Sequence, residues 1–177
     1  LNQRVSREQL MTQGFDHIIV ATGIKPRTPP IDGIDHPKVL SYIDVLRDQV
    51  HVGQRVAIIG AGGIGFDIGE YLLHDPATPL PVPVAHWAGE WGVDLNAARD
   101  SGNGGLTVPA PAVPVRQIYL LQRKTSKLGA GLGKTSGWVH RATLQRHQVE
   151  MLAGVSYDKI DDAGLHITAD GKPRLLE

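Results

Sequence analysis

Residues Arg55 to Asp67 read Arg-Val-Ala-Ile-Ile-Gly-Ala-Gly-Gly-Ile-Gly-Phe-Asp, and no other stretch restricts the fold as strongly. Val56 to Ile59 form a continuous run of β-branched and small apolar residues, the pattern of a parallel strand covered on both faces. From Ile64 the apolar period becomes helical, with Ile64, Ile68, Tyr71 and Leu72 on one stripe. Gly60, Gly62 and Gly65 therefore stand at a strand-to-helix junction.

Each glycine has a mechanical reason to be there. Gly60 permits the tight turn out of the strand, Gly62 removes the side chain that would keep a pyrophosphate from the backbone, and Gly65 lets helix and strand pack closely. The first helical N–H groups, at Gly63, Ile64 and Gly65, then point at the phosphates with the helix dipole behind them. This is the Rossmann dinucleotide fingerprint in its proper context. The alternative is a glycine-rich loop with no ligand.

The rest of the composition narrows the choice of partners. Lys plus Arg and Asp plus Glu are both 18, so no basic surplus exists to hold nucleic acid or an anionic membrane. With no apolar run near ~18 residues and no signal-peptide pattern at the start, the chain reads as soluble and is expected in the cytoplasm. The absence of cysteine excludes disulfides, thiolate nucleophiles and any cysteine-held zinc or iron–sulfur site within this sequence. His74, His86, His140, His147 and His166 share no ligand spacing, so no metal site is expected. The start at Leu1 and a strand-like end suggest a piece of something larger.

Taken in order, residues 1 to 14 are polar and uninformative. His17 to Ala21 reads as a short buried strand running into Thr22-Gly23 and a proline-rich exit, and Thr28 to Pro37 suits a crossover linker. Ser41 with Asp44 is a near capping box for a short helix through Leu46. Residues 74 to 115 hold seven of the twelve prolines (Pro76, Pro79, Pro81, Pro83, Pro109, Pro111, Pro114), Trp87, Trp91 and the Gly-rich run Ser101 to Gly105. They read as a functional insertion or a partly disordered stretch, with the tryptophans in a packed patch or at an interface.

Gln117 to Leu121 is the expected second parallel strand, followed by Gln122-Arg123-Lys124. An acid at the end of this strand would hold the ribose 2′-hydroxyl of NAD, and none is present. Arg123 and Lys124, with Lys127 a turn later, supply cations where the 2′-phosphate of NADP would lie, so NADP is favoured; otherwise they are solvated surface charges. Leu128 to Thr135 nearly spells a Walker A loop. It fails because Leu128 stands where glycine is required and no buried strand immediately precedes it. Its glycines better suit a loop folded around the adenosine end of NADP, with Lys134 as a further phosphate partner.

Thr135 or Ser136 can cap a helix carrying Trp138, Val139, Ala142 and Arg146. Val149 to Leu152 is a third short strand. Val155 to Ile160, Leu165 to Thr168 and Arg174 to Glu177 read as a β-meander joined by tight turns. The expected class is α/β, a Rossmann-type parallel sheet with helices on both faces plus a β-meander.

The strand ending A-T-G, followed some thirty residues later by the glycine fingerprint, resembles flavoprotein reductases of the pyridine nucleotide reductase type. The segments V-A-I-I-G-A-G-G-I-G-F-D (56 to 67), E-W-G-V-D (90 to 94), L-L-Q-R-K-T-S-K-L-G-A-G-L-G-K-T-S-G-W-V-H-R (120 to 141) and G-V-S-Y-D-K-I-D-D-A-G-L-H (154 to 166) resemble, more specifically, bacterial NADPH-dependent 2,4-dienoyl-CoA reductases. The resemblance runs from Phe15 to near the end.

It implies a parent enzyme whose N-terminal barrel binds FMN and the acyl-CoA, followed by a cysteine-held 4Fe–4S cluster and by FAD and NADPH domains. Residues 1–37 would be a remnant of the FAD domain plus linker, with Thr22 and Gly23 at the FAD edge. Residues 38–177 would be the NADPH domain, lacking its last core strand. Electrons would pass from NADPH to FAD and on through the cluster and FMN to a dienoyl-CoA in unsaturated fatty acid β-oxidation. The catalytic acid would lie outside this sequence. Asp67 stands where related reductases carry a carboxylate facing the nicotinamide; alternatively it is a first-turn acid stabilised by the helix dipole. An enoate reductase or amine dehydrogenase would share the fold, and a noncatalytic NADP-sensing module is the reading from a different class.

Overall fold

The computed structural model describes residues 2–75, 77, 81–97, 102, 104–110 and 113–177. In chain order the elements are α1 (Arg7–Thr12), α2 (Tyr42–Leu46), β1 (Arg55–Ile59), α3 (Gly63–Leu73), α4 (Val84–Glu90), β2 (Gln117–Leu121), α5 (Gly137–Arg146), β3 (Glu150–Leu152), β4 (Ser156–Asp161), β5 (Gly164–Ala169) and β6 (Lys172–Leu176). No helix among the described residues is long and apolar enough to cross a membrane.

β1, β2 and β3 pair in parallel in that order, with Val56 opposite Ile118 and Leu120 opposite Met151. Because side chains alternate across a strand, each contributes to two cores. Val56, Ile58, Ile118, Leu120 and Met151 face a cluster built from Phe66, Ile68, Leu72 and Leu73 of α3, Leu144 of α5 and Val45 of α2. Ala57, Ile59, Tyr119, Leu121 and Leu152 face a second cluster from the antiparallel sheet β4–β5–β6, led by Val155, Leu165, Ile167 and Leu176. The expected α/β class, parallel sheet and meander are all present. One face of the parallel sheet carries α3 and α5; where helices were expected on the other, the meander lies instead. The meander can do this because its strands alternate, and only one of its faces is apolar.

Local signals explain most boundaries. Ser41 and Asp44 form the full capping box, the Asp44 N–H donating to Ser41 Oγ (3.3 Å) and the Ser41 N–H to Asp44 Oδ2 (2.6 Å). Asp170 and Gly171 both have positive φ (51° and 71°), the geometry of a two-residue turn between β5 and β6.

Two expectations need correction, and two stretches hold helices that the sequence did not announce. His17 to Ala21 forms no strand: residues 16–28 make no hydrogen bond among the described residues, and Ile19 is 90% exposed. An apolar run becomes a strand only where a neighbour pairs with it, and neither sheet does so. The stretch before residue 14 contains α1, closed by a capping box between Ser6 and Gln9 although it buries nothing. The buried stripe of α3 is Phe66, Ile68, Leu72 and Leu73, while Ile64 and Tyr71 face outward. Finally, the insertion contains α4; Pro76, Pro79, Ser101 and Pro111 lie outside the described residues.

Candidate functional site

The C-terminal edge of the parallel sheet brings the two expected halves of the site side by side. Ile59 is the partner of Leu121, and the Gly60 N–H donates to Leu121 O (2.9 Å), so the glycine turn and the segment from Gln122 leave the sheet together. Gly60 has φ 116°, a conformation that L side chains rarely adopt. At Gly65 an added Cβ would lie 1.9 Å from Gly60 O, which makes this glycine the contact on which the turn closes. An added Cβ at Gly62 or Gly63 would meet nothing within 4 Å, leaving open space over the turn.

Helix α3 starts without a side-chain cap. Its first i→i−4 bond runs from the Phe66 N–H to Gly62 O (3.1 Å), so the N–H groups of Gly63, Ile64 and Gly65 precede the intrahelical ladder. Uncapped donors, a dipole end and open space above Gly62 fit a phosphate group. Asp67 is exposed and lies beyond the first turn, where no acid is present, so its explanation as a first-turn acid fails.

The second half is a cationic loop. Arg116, Arg123, Lys124, Lys127, Lys134, Arg141 and Arg146 fall between Asp100 and Glu150, an interval without a single acid, so the neutral total conceals a positive middle. Arg123, Lys124, Lys127 and Lys134 are exposed and have no carboxylate partner among the described residues. Arg123 lies close to Tyr157: burial pushes this phenol up, and the guanidinium charge works against it.

The backbone of this loop is tied down. The Gln122 N–H donates to Leu152 O (2.9 Å), the Val155 N–H to Gln122 O (3.0 Å) and the Gly154 N–H to Lys124 O (2.9 Å). The Gln122 amide group donates to Lys124 O (2.9 Å) and to Ser126 O. Sequence reasoning gave Gln122 no role; the one signal was its place immediately after the second strand, where an NAD site would carry an acid.

The near-Walker segment is a packed loop. Leu128 is buried in the helical core, and Gly129 (φ 71°) seats against Phe66, where an added Cβ would come within 2.8 Å of Cζ. Arg141 donates from Nη1 to Gly129 O (3.1 Å), fixing the loop to α5. Thr22 and Gly23, by contrast, lie in an exposed segment without regular structure and make no hydrogen bond among the described residues.

The tryptophans of the insertion anchor it to α5. Trp91 lies between Trp87 (centroids 6.3 Å apart) and Trp138 (6.4 Å, edge-on), and the Arg146 guanidinium stacks over it at 4.0 Å. The histidines have ordinary partners: His140 pairs with Glu70 (2.8 Å) and His166 with Asp161 (3.0 Å). No group of potential metal ligands occurs among the described residues.

Comparison with known proteins agrees with this architecture. The chain is 42% identical over 72 residues to a cinnamate reductase of Clostridium sporogenes, covering 41% of the chain and 10% of that protein. It is 26% identical over 172 residues to a metal reductase of Desulforamulus reducens, covering 92% of the chain and 23% of that protein. The chain thus spans a quarter or less of the length of these relatives. A solved structure of 2-naphthoyl-CoA reductase with 2-naphthoyl-CoA superposes on all of the chain, which covers 21% of it, with TM-score 0.62 at 21% identity, a likeness of fold. The family model for pyridine nucleotide-disulphide oxidoreductases matches residues 2–175, and the chain belongs to that family, as an oxidoreductase domain of the flavoprotein reductase type.

Proposed function

We propose that this chain is the NADPH-binding domain of a larger flavin-dependent reductase that reduces 2,4-dienoyl-CoA in the β-oxidation of unsaturated fatty acids. The observation that carries the nucleotide part is the pairing, at one sheet edge, of an uncapped glycine turn with the carboxylate-free cations Arg123, Lys124 and Lys127. When bound, NADPH supplies a hydride to FAD, which with FMN and a 4Fe–4S cluster belongs to the parent protein. This chain's residues bind and orient. Gly60 to Gly65 hold the diphosphate on backbone donors, Arg123 with Lys124 and Lys127 holds the 2′-phosphate by charge-assisted bonds, and Lys134 is a further phosphate partner. Asp67 orients the carboxamide of the nicotinamide.

In this reading residues 1–37 belong with the FAD domain, Thr22 and Gly23 lying at its edge, and residues 38–177 form the NADPH domain. The choice of a dienoyl-CoA as substrate is supported by the resemblance of segments 56 to 67, 90 to 94, 120 to 141 and 154 to 166, the third being the most specific. The cinnamate reductase match favours a second reading, an enoate-type reductase with the same NADPH domain and a free unsaturated acid as substrate.

Calorimetric titration of the chain with NADPH and NADH, repeated on Arg123→Glu, tests the nucleotide assignment. NADPH should bind about tenfold or more tightly than NADH, and the preference should collapse in the variant. Equal affinity for the two nucleotides in the wild-type chain would sink the 2′-phosphate site.

A further inference from the structure

We propose that Gln122 is a positioning residue that sets the choice between a 2′-phosphate and a 2′-hydroxyl, a role that rests on the nucleotide site proposed above. Its side chain is bonded to two backbone carbonyls, Lys124 O and Ser126 O. Both are acceptors, so the group facing them is the amide NH2 with its two donors. The side chain folds back under the loop and holds residues 122 to 126 in a tight turn. Main-chain bonds from Val155 to Gln122 O and from Gly154 to Lys124 O anchor the same turn from the meander side. Arg123 and Lys124 are thus carried on a clamped backbone, with less conformational freedom to lose when they grip a phosphate.

An acid at position 122 would offer only acceptors to Lys124 O and Ser126 O, and lone pairs would oppose lone pairs. The turn would open at the point where a carboxylate became available to the ribose 2′-hydroxyl. A single side chain therefore couples loop shape to nucleotide choice: the amide closes the loop and presents the cations, and a carboxylate would release them.

The test compares adenosine 2′,5′-bisphosphate with adenosine 5′-monophosphate by calorimetry on the full chain and on Gln122→Met, Gln122→Glu and Arg123→Met, each checked by its melting curve. Gln122→Met keeps length and shape without donors. It should lower affinity for the bisphosphate about tenfold while leaving the monophosphate unchanged, a split that general damage to the fold would not produce. Gln122→Glu should go further and favour the monophosphate. If Arg123→Met abolishes the wild-type preference but both Gln122 variants retain it, the positioning role is overturned and the 2′-phosphate site stands. If the wild-type chain shows no preference, the site and the role fall together. Should Gln122→Glu fail to fold, Gln122→Met still decides.

Discussion

Gly62 and Gly65 stand three residues apart in one turn, yet their neighbours make them answer to different requirements. A methyl on Gly65 would lie 1.9 Å from a backbone oxygen of the same turn, and no side chain can move to make room. Gly65→Ala should therefore cost about 3 kcal/mol of stability, read from chemical denaturation. A methyl on Gly62 would enter open space, and the backbone there (φ −86°) suits any residue. Gly62→Ala should shift stability by no more than about 1 kcal/mol, the scale of an N-cap change. It should weaken NADPH binding about tenfold or more, because the methyl occupies the approach of the diphosphate. Loss of folding in Gly62→Ala, or a stable Gly65→Ala, would show the turn to be built otherwise.

Elements were legible where their signal is local. The β1 and β2 runs, the Ser41–Asp44 box and the Asp170-Gly171 turn each declare themselves within six residues and stand where the sequence placed them, whereas the equally apolar His17 to Ala21 run finds no strand to pair with. What was misread depends on distant partners. The outward tilt of Ile64 and Tyr71 follows from Phe66, which Leu128 and Gly129 cover from some sixty residues later. Helix α4 is short and hidden among prolines, and its docking depends on Trp138 and Arg146, neither of which is near it in sequence. Half of the candidate site was readable, since glycines and cations have strong types; the Gln122 clamp was not, because a glutamine has no preferred role until its acceptors are seen. The docking of α4 is itself testable. Trp91 is only partly buried, so Trp91→Ala should cost about 2 kcal/mol, less than a core tryptophan. Amide exchange should quicken in α4 while β1 and β2 stay protected. Uniform loss of protection would mean that the insertion is an integral part of the core.

At the scale of the molecule, the two sheets meet through an apolar layer and are also tied by ion pairs, Arg55 of β1 with Glu177 just after β6 (2.9 Å) and Arg174 with Glu150. Arg174 of β6 is bonded through both terminal nitrogens to the carboxylate of Glu150 in β3, with Nη2 to Oε2 at 2.9 Å, and its guanidinium lies 5.2 Å from the Tyr119 ring centre. The hydrogen bonds from Arg174 hold the Glu150 carboxyl below its ordinary value of 4.5, against the opposing effect of burial. Both side chains are more than a third exposed, so the pair contributes about 1 kcal/mol at most. The sign of its pH dependence is fixed: a carboxyl depressed in the native state stabilises the fold above its unfolded value, and this contribution fades as pH falls through the lower native value. Lys159 and His166 likewise hold Asp161 low, but that effect is common to wild type and to any variant at position 150 and cancels in the comparison. Glu150→Gln should therefore melt below wild type at pH 7, and the gap should close as pH is lowered from about 4.5. A gap that stayed constant through this range would mean that the pair joins the sheets by shape and not by charge. The substitution should leave affinity for adenosine nucleotides at neutral pH untouched, because Glu150 stands level with Tyr119 and Ala57 in mid-sheet and its side chain is turned to Arg174 of the meander, not to the edge where Gly60 and Gln122 leave.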